Sequence, residues 1–388
     1  MTIPVDPLAP ATARTTPLRI GPQMLPGIAL LAILAIGLAS SLYALLFKTS
    51  ELPAETVSWS RLADGDTTAA VSHFLQKANP LENPLVTFDR VSSYLVTGDL
   101  GARVQRGCDN WLFLTDELAL DSGRLANLTR RLTIVRSVAA YLQSRRIALV
   151  VVLVPDKSRV QAVQLCGIDR PTLLANRLAD FEAQLRQAGI AVVDVLQAMN
   201  AVGGELYYRT DTHWNERGAK AAADAIAAAL RQAGLAPTQK AEFKISTDPM
   251  QERVGDLIRL AGLDRVAWPF RPHGDEEAAT VIKQSAAESV GILDETPPPE
   301  LAVIGTSFSR RANFVPFLAL ALTAPVDNRA LDGGGVVNAA IDYFAKPDFI
   351  NSPPRAIVWE IPERMLEKGA PDSDDAWAKS LGVPQTVK

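Results

Sequence analysis

Apolar positions along this chain fall into three kinds of pattern. The first is a continuous run, Leu25 to Phe47, with no charged residue. A helix of about 20 apolar residues spans a bilayer, so this run predicts a membrane-spanning helix. Ala39, Ser40 and Ser41 are small enough for a signal-peptide cleavage site, but the run exceeds the roughly 7–15 residues of a cleavable apolar core. A buried soluble helix would carry a polar stripe. The reading is an uncleaved anchor at 25–47. Residues 1–24, rich in Pro, Ala and Thr, form a disordered cytoplasmic tail before it. Arg14 and Arg19 before the run against Lys48 after it bias the positive charge weakly to the N-terminal side, which places the rest of the chain outside the cytoplasm.

The second pattern is the short solid apolar block. Ile147 to Val154 is β-branched and aliphatic throughout, as expected of a parallel strand buried on both faces. Ile190–Val195, Leu301–Ile304 and Ala356–Ile361 repeat the pattern, and Trp111–Leu114 is a shorter strand entering the core. The third is helical spacing. Leu125, Leu128, Leu132, Val135, Val138, Ala139 and Leu142 line one face of a helix predicted over Leu118–Arg145. Pro171–Gln187 is followed by Gly189 as a stop. Asn215 suits the N-cap of an alanine-rich helix over Glu216–Ala233, and Phe314–Leu322 is a further helix. Strands alternating with helices predict an α/β domain: a parallel sheet flanked by helices. The central block ends in Pro155-Asp156-Lys157, at the strand edge where open α/β sheets bind ligands.

The remaining stretches are less regular. Over 61–100 a patchy helical pattern meets Asn79-Pro80 and Asn83-Pro84, both predicted to stop helices. Residues 236–300 form a long, partly irregular insertion that could frame a cleft. The last 20 or so residues are polar and predict a poorly ordered tail. The expected partition is a tail at 1–24, the anchor at 25–47, a connector and helical lead-in at 48–105, one domain at 106–366 and a C-terminal tail at 367–388.

Composition narrows the function. The 388 residues carry 39 basic and 43 acidic side chains, net charge -4, with signs well mixed, which argues against a nucleic-acid surface. Cys108 and Cys166 both lie beyond the anchor. An oxidising compartment permits a disulfide between them, and two free thiols fit the sequence equally. Neither belongs to a CxxC pair, so nothing supports a metal or redox motif.

The candidate chemistry sits in Tyr207-Tyr208-Arg209-Thr210-Asp211-Thr212-His213-Trp214-Asn215. In an extended segment residues i and i+2 face the same side, so Asp211 and His213 converge. Alone, the pair is explained as well by a turn cap beside a packed histidine. Gly305-Thr306-Ser307 follows a strand and exposes a hydroxyl much as the Gly-x-Ser-x-Gly elbow does, although Ser309 replaces the second glycine. The two signals complete each other. A serine nucleophile needs a base, and the base needs an orienting carboxylate; Ser307, His213 and Asp211 fill these roles. His73 and His273, the other two histidines, lie in the juxtamembrane stretch and the insertion. No third ligand is evident beside Asp211 and His213, so no metal site is expected.

Five segments together carry a resemblance: WLFL (111–114), VPDKSRV (154–160), YYRTDTHWNERGAKAAADAI (207–226), GTSFS (305–309) and WEIPER (359–364). In identity and order they resemble the alginate O-acetyltransferase family, and DGDTTAAVSHFLQKANPLENPL (64–85) resembles the segment preceding its domain. The resemblance implies a circularly permuted SGNH-hydrolase-like, flavodoxin-like domain, with Asp211, His213 and Ser307 in the triad positions. It implies acetyl transfer onto exopolysaccharide hydroxyls, alginate-like or cellulose-like, without a cofactor. It also implies a periplasmic setting on the bacterial inner membrane, an MBOAT-type membrane acyltransferase as acetyl supplier, and a polysaccharide export complex. Lys157, Asn313, Arg310 and Arg364 are candidates for substrate or oxyanion binding. Arg310 and Arg311 could bind an anionic sugar or simply start a solvated helix. Where the family has Gly-x-Asp-Gly, this chain has Gly107-Cys108-Asp109-Asn110, and Asn tolerates the left-handed turn. The chain ends soon after WEIPER, which resembles the anchored branch lacking a carbohydrate-binding module. An acetylesterase and a non-catalytic polysaccharide-binding scaffold are the competing readings.

Overall fold

The computed structural model describes residues 21–48, 58–285 and 297–382. Most of the expected N-terminal tail, most of the connector after the anchor, part of the insertion (286–296) and the last six residues lie outside the described residues. The chain divides into two compact units, 1–88 and 89–388.

In the first unit Leu25–Phe47 is one helix of 23 residues, long and apolar enough to cross a membrane. Only Ser40 and Ala44 are buried along it. A second helix, Asp66–Ala78, stops at Asn79 as expected, with Leu81 N–H donating to Asn79 Oδ1 (2.9 Å). Asn83-Pro84 does not stop the next helix. Glu82–Thr97 carries both residues in its first turn, where the missing proline N–H has no intrahelical partner to lose.

The second unit is built on a five-stranded parallel sheet. It opens with a small antiparallel hairpin, β1 (Val104–Arg106) and β2 (Leu112–Leu114). The sheet strands are β3 (Ala148–Val154), β4 (Ala191–Val193), β9 (Leu301–Ile304), β10 (Asp327–Asn328) and β11 (Ala356–Pro362), in the order β10-β9-β11-β3-β4. β3 pairs with β11 along its whole length, from Ala148↔Ala356 to Val154↔Pro362. Alternation along β3 sends Val150, Val152 and Val154 into one apolar layer and Val151 and Leu153 into the other. The first layer takes Trp214 from the loop before helix Glu216–Gln232, Ala222 and Ile226 of that helix, and Phe314 and Leu318 of Phe314–Leu322. The second takes Leu132, Val135 and Leu142 of Arg124–Ser144 and Phe181 of Arg177–Gln187. This is the α/β architecture that the hydrophobic pattern predicts. The first long helix begins at Arg124 rather than Leu118, because residues 115–117 form a separate 3-10 turn and Asp121 accepts the Gly123 N–H (2.7 Å).

Three features differ from the sequence reading or resolve it. The partly irregular insertion carries two antiparallel pairs among its described residues: β5 (Phe243–Thr247) pairs with β8 (Thr280–Gln284), and β6 (Gln251–Arg253) with β7 (Asp275–Glu277). These strands are largely exposed, so they lack the alternation that marks a half-buried strand. The expected C-terminal tail contains a helix, Asp372–Ser380, held to Arg124–Ser144 by a buried pair, Arg131–Asp374 (3.0 Å), and by Arg130 with Asp372 and Asp375. It also packs Trp377 and Ala378 on the apolar layer, with Trp377 against Phe344 (6.1 Å between centroids), but two apolar residues among polar ones make too short a stripe to be read as a helix. Finally, Cys108 and Cys166 form a disulfide, tying the turn before β2 to the segment after β3. Asp109 and Asn110 in that turn take positive φ, 47° and 67°, the conformation that Gly would adopt freely.

Candidate active site

The site is assembled at the C-terminal ends of β9 and β11 and on the loop before helix Glu216–Gln232. After Ile304 the backbone of Gly305 passes so close to Glu360 that a Cβ there would lie 2.5 Å from the carboxylate, so glycine is required. Ser307 opens a short 3-10 turn to Arg310, and Thr306 Oγ1 accepts the Phe308 N–H (3.3 Å). The loop carrying Asp211 and His213 is closed at its base by a Tyr207↔Trp214 bridge. Asn215 caps the following helix by accepting the Gly218 N–H (3.1 Å). Trp214, fully buried, packs edge-on against Phe308 (5.2 Å between centroids), and the His213 ring lies against Phe308 (4.8 Å).

This packing joins residues 94 apart: His213 Nε2 lies 2.7 Å from Ser307 Oγ. His213 Nδ1 lies 2.6 Å from Asp211 Oδ1, which also accepts the His213 N–H (3.0 Å). The other carboxylate oxygen, Oδ2, accepts Arg253 (2.9 Å) and the Asp256 N–H (3.1 Å). Burial pushes the Asp211 carboxyl up, but hydrogen bonding and attraction to His213, with Arg253 beside it, outweigh burial and hold it well below the usual carboxylate range. The result is an ordered line of carboxylate, imidazole and hydroxyl, through which a serine proton can pass to a base.

The insertion braces this loop. Asp275 accepts the N–H groups of Arg209 (2.6 Å) and Thr210 (3.1 Å). Asp256 accepts the N–H (2.7 Å) and hydroxyl (2.6 Å) of Thr212, and its Oδ2 lies 3.5 Å from His213 Nδ1. Gly255 lets the two backbones meet: a Cβ there would fall 2.1 Å from Thr210 O. Burial, then the Asp211 charge, raises the pKa of Asp256. Asp211, His213 and Asp256 present ligand atoms within 4.8 Å of one another. Asp256 is thus a third donor beside Asp211 and His213 that the sequence did not reveal, and Arg253 already binds the outer oxygen of Asp211.

The other predicted site residues are placed differently. Lys157 is fully buried, and its ammonium donates to three carbonyls, Leu112 O (2.5 Å), Arg209 O (2.9 Å) and Asp211 O (3.0 Å), near the rings of Trp111 and Phe113. All three donors are spent, so it anchors the Asp211 loop rather than meeting substrate. Burial lowers its pKa to about 8, against the pull of Asp275, Glu117, Asp211 and Asp256. Asn313 is likewise occupied: its amide donates to Glu216 (2.8 Å) and to Thr280 O, which leaves it no donor for an oxyanion. Arg310 is half-exposed and pairs with Asp332 (3.3 Å). Arg364 lies over the Phe308 ring (5.1 Å) and near Glu117 (3.4 Å). It lines a cavity of about 240 Å³ with Asp116, Leu120, Arg177, Glu367 and Lys368. A larger cavity of about 730 Å³, at Arg136, Gln143, Leu149 and Ile190, sits at the opposite, N-terminal edge of β3 and β4 and is remote from this chemistry. Arg253, Asp256 and Asp275 escaped the sequence reading. Their partners lie 42 to 66 residues away, too far for a local motif to reveal.

Comparison with known proteins bears on this arrangement. Residues 104–363 match the family described as "SGNH hydrolase-like domain, acetyltransferase AlgX". The chain is similar to "Probable alginate O-acetylase AlgJ" of Azotobacter vinelandii, 30% identical over 281 residues, 70% of this chain and 72% of that protein. The protein of the same name from Pseudomonas putida is 32% identical over 269 residues, 67% of this chain and 69% of that protein. In structure the chain resembles the "O-Acetyltransferase Domain of Pseudomonas putida AlgJ", with TM-score 0.62 and 29% identity, over 72% of this chain and 98% of that domain.

Proposed function

The chain belongs to the AlgX-type family of SGNH hydrolase-like acetyltransferases, and from that premise we propose that it transfers acetyl groups to hydroxyls of an exopolysaccharide through an acetyl-serine intermediate on Ser307. The observation that carries this reading is the Asp211–His213–Ser307 line, with contacts of 2.6 and 2.7 Å.

His213 Nε2 takes the Ser307 proton as Oγ attacks the acetyl carbonyl carbon. The tetrahedral oxyanion is held by the Ser307 backbone N–H; one such donor is worth about 2.7–4 kcal/mol of barrier. Collapse breaks the bond to the donor's leaving group, which receives the proton from His213. A sugar hydroxyl then gives its proton to His213 and attacks the acetyl-serine. The second tetrahedral intermediate expels Ser307, which recovers the proton. Asp211 keeps Nδ1 protonated and faces the imidazolium without itself taking the proton.

The setting is the periplasmic side of a bacterial inner membrane, with helix Leu25–Phe47 as a single-pass anchor. The Cys108–Cys166 disulfide supports an oxidising compartment. Acetyl groups arrive from an MBOAT-type membrane acyltransferase, and the polymer passes to an export complex; the family resemblance supports both. The acceptor is alginate-like, after the names of the relatives, or a cellulose-like polymer.

The test uses the detergent-solubilised full chain and p-nitrophenyl acetate. Intact mass shows one added acetyl on Ser307, absent from Ser307→Ala, and added unacetylated oligosaccharide removes it faster than water does. Ser307→Ala and His213→Ala lower turnover by roughly 10⁴-fold or more. Equal turnover by wild type and Ser307→Ala would exclude the mechanism, and acetate release that is indifferent to the sugar would make the protein an esterase.

A further inference from the structure

The WEIPER segment contains a buried acid with no part in the reaction above. We propose that Glu360 is a positioning residue for the nucleophile turn: its carboxylate gathers Thr306 and Ser309 and thereby aims Ser307 at His213. The inference rests on the triad reading of Ser307.

Strand register places it there. Trp359 pairs with Ile304, so Glu360 sits beside Gly305 where both strands end. Its side chain is fully buried. Oε2 accepts the Thr306 N–H (2.7 Å), the Thr306 hydroxyl (3.1 Å) and the Ser309 hydroxyl (3.0 Å), and Oε1 shares the Thr306 hydroxyl (3.1 Å). The residue before Ser307 and the second residue after it are thus tied to one carboxylate. Ser307 between them is tied to His213. From the other side Asn328 donates to Ser309 O (2.9 Å) and the Leu331 N–H to Gly305 O (3.1 Å). The turn is pinned from both faces, and the absence of a side chain at Gly305 is what admits the carboxylate.

Packing alone does not account for an acid at this place. Among the described residues no cation forms an ion pair with Glu360, and burial raises its pKa against the hydrogen bonds of Thr306 and Ser309 and the more distant Arg364 charge. Burying an ionisable group without a paired charge is costly unless hydrogen bonds satisfy it. An acid placed directly beneath the nucleophile, with every nearby hydrogen bond directed to the two sides of Ser307, serves the geometry of attack. A displacement of about 1 Å at a reacting group costs up to ~10²-fold in rate.

The test compares full-length wild type with Glu360→Gln. Glutamine keeps the size but turns one acceptor into an NH₂ group facing Thr306. The expected result is kcat for p-nitrophenyl acetate lower by ~10–100-fold with KM little changed. Sulfonylation of Ser307 by phenylmethanesulfonyl fluoride slows by the same factor, and the melting temperature is nearly unchanged. In a Ser307→Ala background Glu360→Gln lowers residual turnover no further, because its effect acts through Ser307. A folded Glu360→Gln protein with wild-type kcat and labelling rate overturns the proposal, as does a change confined to KM. If Glu360→Gln does not fold, Ser309→Ala decides: several-fold lower kcat at constant KM supports the proposal and unchanged kcat overturns it. Wild-type turnover by Ser307→Ala would instead refute the triad reading, whatever Glu360 does.

Discussion

Arg253 binds the outer oxygen of Asp211 and leaves the inner oxygen to His213, so the carboxylate cannot turn away from the imidazole. Replacing Arg253 by Met leaves only the Asp256 N–H on that oxygen. Turnover of an acetyl ester is expected to fall by roughly 10-fold, since held geometry rather than proton transfer is lost; steady-state kinetics on the folded variant checks this. Asp211 also makes stability depend on pH. Because its folded pKa lies well below the usual carboxylate range, its contribution is fully present above the unfolded value of about 3.9 and is lost as pH falls below it. The stability advantage of wild type over Asp211→Asn in urea melts therefore narrows between pH 6 and pH 3. A constant difference would show that the carboxylate charge contributes nothing. Lys157 is the same kind of residue in the opposite sign. Lys157→Met takes a donor from the carbonyls of Leu112, Arg209 and Asp211; Arg209 O keeps the Leu112 N–H (2.8 Å), each group left unsatisfied costs about 1–3 kcal/mol, and denaturant unfolding measures the loss.

At the scale of elements, what could be read from the chain were those with an apolar face or a cap. Phe314–Leu322 has the predicted bounds, and Asn215 caps the helix that follows it. The solid blocks at 148–154 and 356–362 are the paired central strands. The insertion strands are exposed and are held by one another and by the loop they brace, so no periodicity announces them. Helix Asp372–Ser380 is similar: acidic residues on its first turn meet Arg130 and Arg131 some 240 positions earlier. Truncation after Gly369 leaves Arg131 buried without its carboxylate. Breaking a buried pair costs roughly 3–5 kcal/mol, so the truncated protein should unfold at clearly lower urea. An unchanged midpoint would mean the helix is only an appendage.

At the scale of the whole molecule, the Cys108–Cys166 bond closes a loop with a sequence separation of 58 and fastens the β2 hairpin to the segment after the central strand. Loop-closure entropy for that length contributes about 4 kcal/mol in the chain-entropy model. Cys108→Ser, or reduction of the wild type, is expected to lower stability by about 2–4 kcal/mol while leaving Ser307 chemistry intact in the folded fraction. The proposed membrane anchor, helix Leu25–Phe47, belongs to this scale as well. Carbonate extraction should leave the full chain in the membrane pellet and release a form lacking residues 1–47.

The division between what the chain determined alone and what folding decided follows the range of the forces involved. The apolar helix at 25–47, the buried strand blocks, the helix periodicity and caps, and the separate Asp-x-His and Gly-x-Ser motifs are local patterns. They are written in adjacent residues and survive without knowledge of neighbours. The family motifs extend that reading to the three residues of the line itself. Which atoms those residues touch was a tertiary matter. The same chemistry that marks Lys157 and Asn313 as candidate ligands makes them good internal braces, and only burial distinguishes the two. Arg253, Asp256, Asp275 and Glu360 act on groups 42 to 66 positions away. Charge and hydrogen bonds act at distances of a few ångströms, and only the folded backbone brings such residues that close.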